Sequence, residues 1–140
     1  MVFRWYFLCS CHRSARPVVT AKTVPVDTFD LVIFGGTGDL ALRKLLPGLF
    51  RRFADGQIPA DSRIIGVARD TLSDADYQTK VSEALATAIS ADASLQAKLE
   101  PFLQRLGYHA LDATKGEGWQ AFADELQTHG DRVRVFYLST

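Results

Sequence analysis

Cysteine is scarce in the 140-residue chain: Cys9 and Cys11 are its two examples, and methionine occurs once. Two cysteines one residue apart supply no secreted disulfide framework, so the chain reads as a reduced, cytoplasmic protein. Net charge is also absent, with 16 basic against 16 acidic side chains and no Lys/Arg-rich run. That balance excludes a broadly basic nucleic-acid surface. No uninterrupted apolar stretch approaches the roughly 18 residues needed to span a bilayer, so no membrane role is expected. Cys9-Ser-Cys11-His12 lacks the two-residue spacing of zinc or haem motifs and has no second ligand pair nearby. No metal site is expected. What is present, 47% apolar and 23% charged residues, is the composition of an ordinary globular protein of one domain. A chain of this size buries roughly 68–70% of its unfolded surface without metal or disulfide staples.

The charge balance hides an asymmetry. Residues 1–26 hold Arg4, Arg13, Arg16 and Lys22 and no acid, leaving twelve basic against sixteen acidic side chains elsewhere. The apolar opening is broken by Arg4 and no clean small-residue cleavage site follows, which argues against a secretory signal. Arg/Ser richness without acids fits an organellar transit segment better. A disordered extension, or a start codon placed too far upstream, fits best, and residues 1–26 are set apart from 27–140 on that basis.

From Asp27 onward the pattern is regular. Asp30 to Gly35 is a short β-branched apolar run ending in glycine, the mark of a strand buried on both faces. Leu42, Leu46, Leu49 and Phe53 then form one helical stripe, interrupted by Pro47, which should kink or divide the helix, and closed by Gly56. Arg63–Arg69 is a second strand. Residues 73–90 are predicted helical, opened by Ser73 with Asp74 and Asp76 in the first turn. Helices at 92–106 and about 116–129 flank an extended piece at 107–111, and Val133–Leu138 is a last strand. Strands alternating with helices imply βαβ units with right-handed crossovers. The expected fold is α/β, a Rossmann-like doubly wound parallel sheet, incomplete within these residues.

The most informative segment joins the first strand to the first helix. Gly36-x-Gly38-x-x-Ala41 satisfies the dinucleotide fingerprint G-x-G-x-x-G/A in its required strand-to-helix context. Glycines leave bare backbone for a pyrophosphate, and the helix start supplies unpaired N–H groups and a positive dipole end. No Gly-Lys-Ser/Thr follows, which excludes a phosphate-loop kinase. The end of the second strand bears on which dinucleotide is bound. Arg69 there favours the 2′-phosphate of NADP, because a guanidinium forks onto phosphate and stacks on adenine. Asp70 tempers this: it either repels that phosphate or accepts a ribose hydroxyl and permits NAD. Asp39, a carboxylate beside a pyrophosphate site, either bonds backbone N–H groups or pairs with Arg43 one turn on. Lys44 lies roughly opposite the apolar stripe, counting 100° per residue, and points away from the core.

These residues carry a resemblance. Gly35-Gly-Thr-Gly-Asp-Leu-Ala-Leu-Arg-Lys-Leu-Leu-Pro47, with Gly66-Val-Ala-Arg69 and Val135-Phe-Tyr-Leu-Ser139, closely resembles the N-terminal, coenzyme-binding part of glucose-6-phosphate dehydrogenases. The resemblance covers about residues 27–140. It implies that Gly35, Gly36, Thr37, Gly38, Asp39 and Leu40 line the coenzyme and that Arg69 meets the 2′-phosphate. It also implies that Asp112 lies near the adenine end and that Lys44 reaches toward the sugar phosphate. The implied reaction moves hydride from C1 of glucose 6-phosphate to NADP, with NAD as an alternative acceptor, giving 6-phosphogluconolactone in the pentose phosphate pathway. The implied assembly is a homo-oligomer.

The same resemblance places the catalytic histidine beyond position 140, together with the substrate domain. No catalytic residue is expected among these 140, and the chain alone is expected to be inactive. His12, His109 and His129 read as structural or solvated. A short-chain reductase is the first competitor, but Tyr77-Gln-Thr-Lys80 is one residue too tight for its Tyr-x-x-x-Lys pair. A non-enzymatic nucleotide-binding module or degenerate truncated product is the second, since a sheet cut off after a few strands leaves an exposed edge.

Overall fold

The structure, a computed structural model, describes residues 26–90 and 92–139. The cysteine pair, His12 and residues 1–25 of the basic segment lie outside the described residues. Strands β1 (Phe29–Phe34), β2 (Arg63–Ala68), β3 (Leu106–Ala110) and β4 (Val133–Leu138) form one sheet in the order β3-β2-β1-β4. All three pairings are parallel, with Ile33 opposite Gly66 on one side and Tyr137 on the other. The described residues therefore enter the sheet at its middle, wind outward to β3 and cross back past β1 to β4. That order reverses direction at β1, whose carboxyl end is where an open α/β sheet makes its ligand crevice.

Helices α1 (Leu46–Ala54), α2 (Asp74–Ser90) and α3 (Ala93–Leu103) contribute to one core layer. There Leu31, Ile33 and Ile64 meet Phe50, Val81, Leu85 and Phe102, all buried. Helix α4 (Trp119–Gln127) covers the other face, where Val32, Phe34, Ile65 and Val67 pack on Leu111, Phe122 and Leu126. Alternate residues of β1 thus feed opposite layers, which is why its sequence is continuously apolar. Strand β4 is one of the two sheet edges among the described residues, and Val133, Val135, Phe136 and Leu138 on it are exposed. The expected doubly wound α/β fold is what the described residues form.

The boundaries move by a few residues from those expected. Helix α3 stops at Leu103 rather than 106, because Leu106 is already paired with Ile64 in the sheet. Helix α4 spans Trp119–Gln127, shorter at both ends than 116–129, with Gly118 before it at φ +86°. Pro47 divides the helix as expected: it stands in the first turn of α1, where its missing N–H is tolerated. A π-helical turn, Ala41–Leu45, precedes it, and the Leu46 N–H donates to Ala41 O. Widening the ladder by one residue just before a proline accommodates the donor it lacks, and such insertions are common beside functional sites.

Helix α2 is anchored at its first turn. The Ser73 N–H and hydroxyl both donate to Asp76 Oδ2 at 3.1 and 2.7 Å, while the Asp76 N–H donates to Ser73 Oγ at 3.1 Å. This reciprocal cap satisfies two helix-end donors. It also holds the Asp76 carboxyl below its ordinary value, chiefly through the Ser73 hydroxyl and then its backbone N–H.

Candidate functional site

A cleft of about 460 Å³ opens at the carboxyl ends of β1, β2 and β3. Gly35, Thr37 and Gly38 form one wall, Arg69 and Asp70 a second, and Leu111–Thr114 a third, with Ser139 beside Phe34. Five of the residues expected in the site, Gly35, Thr37, Gly38, Arg69 and Asp112, therefore meet around one space. Gly36 packs beneath the turn. Asp39, Leu40 and Lys44 follow on the helix and are exposed. They are not among the lining residues.

The glycine turn is built by three different demands. Gly35 takes φ +82°, a left-handed conformation that disfavours any side chain. Gly36 lies so close to β2 that a methyl on it would stand 2.7 Å from the Gly66 Cα. Gly38 donates its N–H to Gly35 O at 2.9 Å, and a methyl on it would lie 3.0 Å from that same oxygen. The N–H groups of Gly35 and Gly36 both donate to Val67 O, fastening the turn to β2. The first bond of the helix runs from Leu42 N–H to Gly38 O. The N–H groups of Asp39, Leu40 and Ala41 precede it and have no intrahelical acceptor.

The charged residues divide between structural and available roles. Asp39 pairs with Arg43 at 2.6 Å, both largely exposed, which selects the ion pair over the backbone cap for this carboxylate. Thr37 Oγ1 donates to Asp70 Oδ2 at 3.0 Å, closing the turn onto the end of β2. Asp112 Oδ1 accepts the Thr114 hydroxyl at 2.6 Å and its N–H at 3.0 Å. Those two bonds, in that order, hold its carboxyl below the ordinary value, with Lys115 and Arg69 adding smaller attractions. The Arg69 side chain is exposed at the cleft and makes no hydrogen bond or ion pair among the described residues.

Sequence reasoning missed Ser139 and Thr114 as lining residues. The Ser139 hydroxyl donates to Phe34 O at 2.7 Å and its N–H to the same oxygen at 3.0 Å. A strand-end serine 104 residues from the turn carries no local signal of that meeting. His109 stands away from the cleft, its Nδ1 2.7 Å from Glu125 Oε2 and its ring against Phe122. His129 lies at the opposite end of the sheet, beside Arg105 and Arg132. Among the described residues no cluster of His, Cys, Asp and Glu is placed to hold a metal ion. Nor is any described helix long and apolar enough to cross a membrane.

Residues 32–140 match the family model described as the NAD binding domain of glucose-6-phosphate dehydrogenase. The chain is 41% identical over 121 residues to a glucose-6-phosphate 1-dehydrogenase of Rhizobium meliloti, covering 86% of this chain and 25% of that protein. It is 44% identical over 119 residues to one from Mycolicibacterium smegmatis, covering 82% and 24%. A solved glucose-6-phosphate dehydrogenase in complex with glucose 6-phosphate superposes with a TM-score of 0.68 at 30% identity. That match covers 84% of this chain and 25% of the other. The chain thus spans about a quarter of the length of the relatives it matches. With the family model covering most of its length, the chain belongs to the glucose-6-phosphate dehydrogenase family and corresponds to its nicotinamide-coenzyme-binding domain.

Proposed function

We propose that the cleft holds NADP and that the protein takes part in oxidising glucose 6-phosphate to 6-phosphogluconolactone. The observation that carries this reading is a pair of anion-seeking features at one cleft, one lining it and one directly behind its glycine wall. One is the run of helix-start N–H groups behind Gly38, suited to a pyrophosphate. The other is Arg69, whose guanidinium is available for a 2′-phosphate.

The residues fit the coenzyme. A side chain at Gly38 would intrude on the turn, and the left-handed Gly35 holds the turn's shape. Gly35, Gly36, Thr37, Gly38, Asp39 and Leu40 are assigned to the pyrophosphate side. Arg69 is assigned to the 2′-phosphate, and Asp112 with Thr114 to the adenine side. Bound there, the nicotinamide group supplies the hydride acceptor, and the protein supplies binding and orientation. Asp70 beside Arg69 supports NAD as an alternative coenzyme, since a carboxylate at this strand end accepts ribose hydroxyls. Lys44, exposed on the π-helical turn just beyond the glycines, is assigned to the sugar phosphate. No catalytic base is assigned within these residues. Residues 27–140 act as the coenzyme-binding unit in this reading, in a cytoplasmic protein that assembles as a homo-oligomer.

Calorimetric titration of the protein with NADP and NAD tests the reading. NADP is expected to bind, and Arg69→Ala to weaken it by roughly tenfold or more, as loss of a charged hydrogen bond does. NAD affinity should change little in that variant. Absence of binding by either dinucleotide to the folded protein would overturn the assignment.

A further inference from the structure

We propose that Tyr77 and Tyr108 form a positioning pair that sets the gap between the glycine turn and the ribose-facing end of β2, a role that rests on the coenzyme reading above. The two rings touch, with centroids 5.1 Å apart, in the core layer shared with α1, α2 and α3. The Tyr77 hydroxyl donates to Gly36 O at 3.3 Å, under the turn assigned to the pyrophosphate. The Tyr108 hydroxyl donates to Asp70 O at 2.6 Å, under the wall that carries Arg69. Each phenol therefore fastens the main chain of one wall, and the ring contact fixes one phenol relative to the other.

Several features hold the pair in place. Tyr77 lies in the first turn of α2, which Ser73 and Asp76 cap reciprocally. Asp74 Oδ1 accepts the Tyr108 N–H at 2.7 Å, joining that same turn to β3. Gly66 gives the Tyr77 ring its path to Gly36: a methyl on Gly66 would stand 2.5 Å from the phenol oxygen. A core needing only apolar volume would be served by phenylalanine at both positions. Tyr77 is fully buried, and an inward hydroxyl costs desolvation unless it is bonded. Both hydroxyls instead reach carbonyl oxygens of the two cleft walls.

The pair also differs from the catalytic tyrosine of a reductase. Tyr77 is closed off beneath the backbone, and burial, with the neighbouring Tyr108, pushes its phenol well above the ordinary value of 10.0. It serves by holding main chain in place.

Titration of the parent protein, Tyr77→Phe and Tyr108→Phe with NADP and with adenosine 2′,5′-bisphosphate tests the proposal, alongside urea unfolding of each. Tyr77→Phe is expected to weaken NADP about two- to tenfold, the effect of one net hydrogen bond, and to affect the bisphosphate, which lacks a pyrophosphate, less. Tyr108→Phe is expected to weaken both ligands. The double variant is expected to depart from the product of the single effects, because the two residues are in contact. Should Tyr77→Phe fail to fold, Tyr108→Phe at the outer strand carries the test. Unchanged affinities in variants with lowered unfolding midpoints would reduce the pair to core filling and overturn the proposal alone. A folded parent protein that binds neither NADP nor NAD would overturn both this proposal and the coenzyme reading.

Discussion

Arg132 reaches across the foot of the sheet to Asp30, 102 residues earlier in the chain, with Nη1 3.1 Å from Oδ1. Arg63 meets the same carboxylate through two bonds, at 3.0 and 2.8 Å, and Arg132 also donates to Asp61 O. Asp30 is completely buried, so β1, β2 and the start of β4 share one charged knot at the end opposite the cleft. Removing one member of such a buried pair leaves uncompensated charge, which costs about 3–5 kcal/mol. Asp30→Ala is therefore expected to lower the unfolding free energy by that amount in a urea titration. Arg132→Ala, which leaves the forked Arg63 pair in place, is expected to cost less.

The same knot gives the protein an acid dependence. Burial by itself would raise the Asp30 carboxyl, but the hydrogen bonds and attraction of Arg63, then of Arg132, outweigh it and lower the group below 3.8. A carboxyl lowered on folding contributes stability that is complete above its unfolded value and lost as pH falls through its folded value. Unfolding midpoints should thus hold steady above pH ~5 and decline as the solution is acidified below the ordinary carboxylate range. Asp30→Asn is expected to flatten part of that decline while lowering stability at neutral pH.

Glycines in this chain are not interchangeable, and two substitutions to alanine separate them. Gly48 lies in α1 with nothing within 4 Å of an added methyl. Alanine there removes backbone freedom from the unfolded chain and should stabilise the protein by about 0.5–1 kcal/mol. Gly66 is buried under the Tyr77 ring, and the added methyl has no room. Gly66→Ala should destabilise by about 1–3 kcal/mol, the usual cost of overpacking. Shortening the clashing residue, as in a Gly66→Ala/Tyr77→Leu double variant, should recover part of that loss. Unfolding midpoints check all three.

The fold was legible where a period or a turn demanded it. Strand β1 announced itself by continuous apolar residues, and Gly35–Gly38 by the strand-to-helix context around them. Lys44 was placed outward by a uniform 100° count, yet the π-helical turn it sits in breaks that count. It is exposed all the same, because the buried positions nearby are Ala41 and Leu46. The partners of Asp30 were not legible, since both arginines lie far along the chain and nothing local marks a strand-start aspartate as buried. Tyr77 was legible only as a near miss to a reductase motif. Its bond to Gly36 needs the α2 crossover to bring residues 41 positions apart together.

Asp70 gives the sharpest test of what selects the coenzyme. Its carboxylate stands beside Arg69 at the cleft and accepts the Thr37 hydroxyl through Oδ2. Against a 2′-phosphate held by Arg69, as proposed above, that negative charge is unfavourable by about 1 kcal/mol at 4 Å in water. Asp70→Asn keeps an oxygen for Thr37 and removes the charge, so NADP affinity should rise about fivefold, the equivalent of that energy. NAD carries no 2′-phosphate and should gain nothing. Salt distinguishes charge from hydrogen bonding here, because the screening length falls to about 3 Å at 1 M. The advantage of Asp70→Asn toward NADP should therefore shrink at high salt, whereas Asp70→Ala, which also frees Thr37, should lose affinity for NAD at every salt concentration. Calorimetric titrations at 0.1 and 1 M salt decide it: a variant whose NADP-to-NAD ratio matches the parent at both would overturn a selecting role for Asp70.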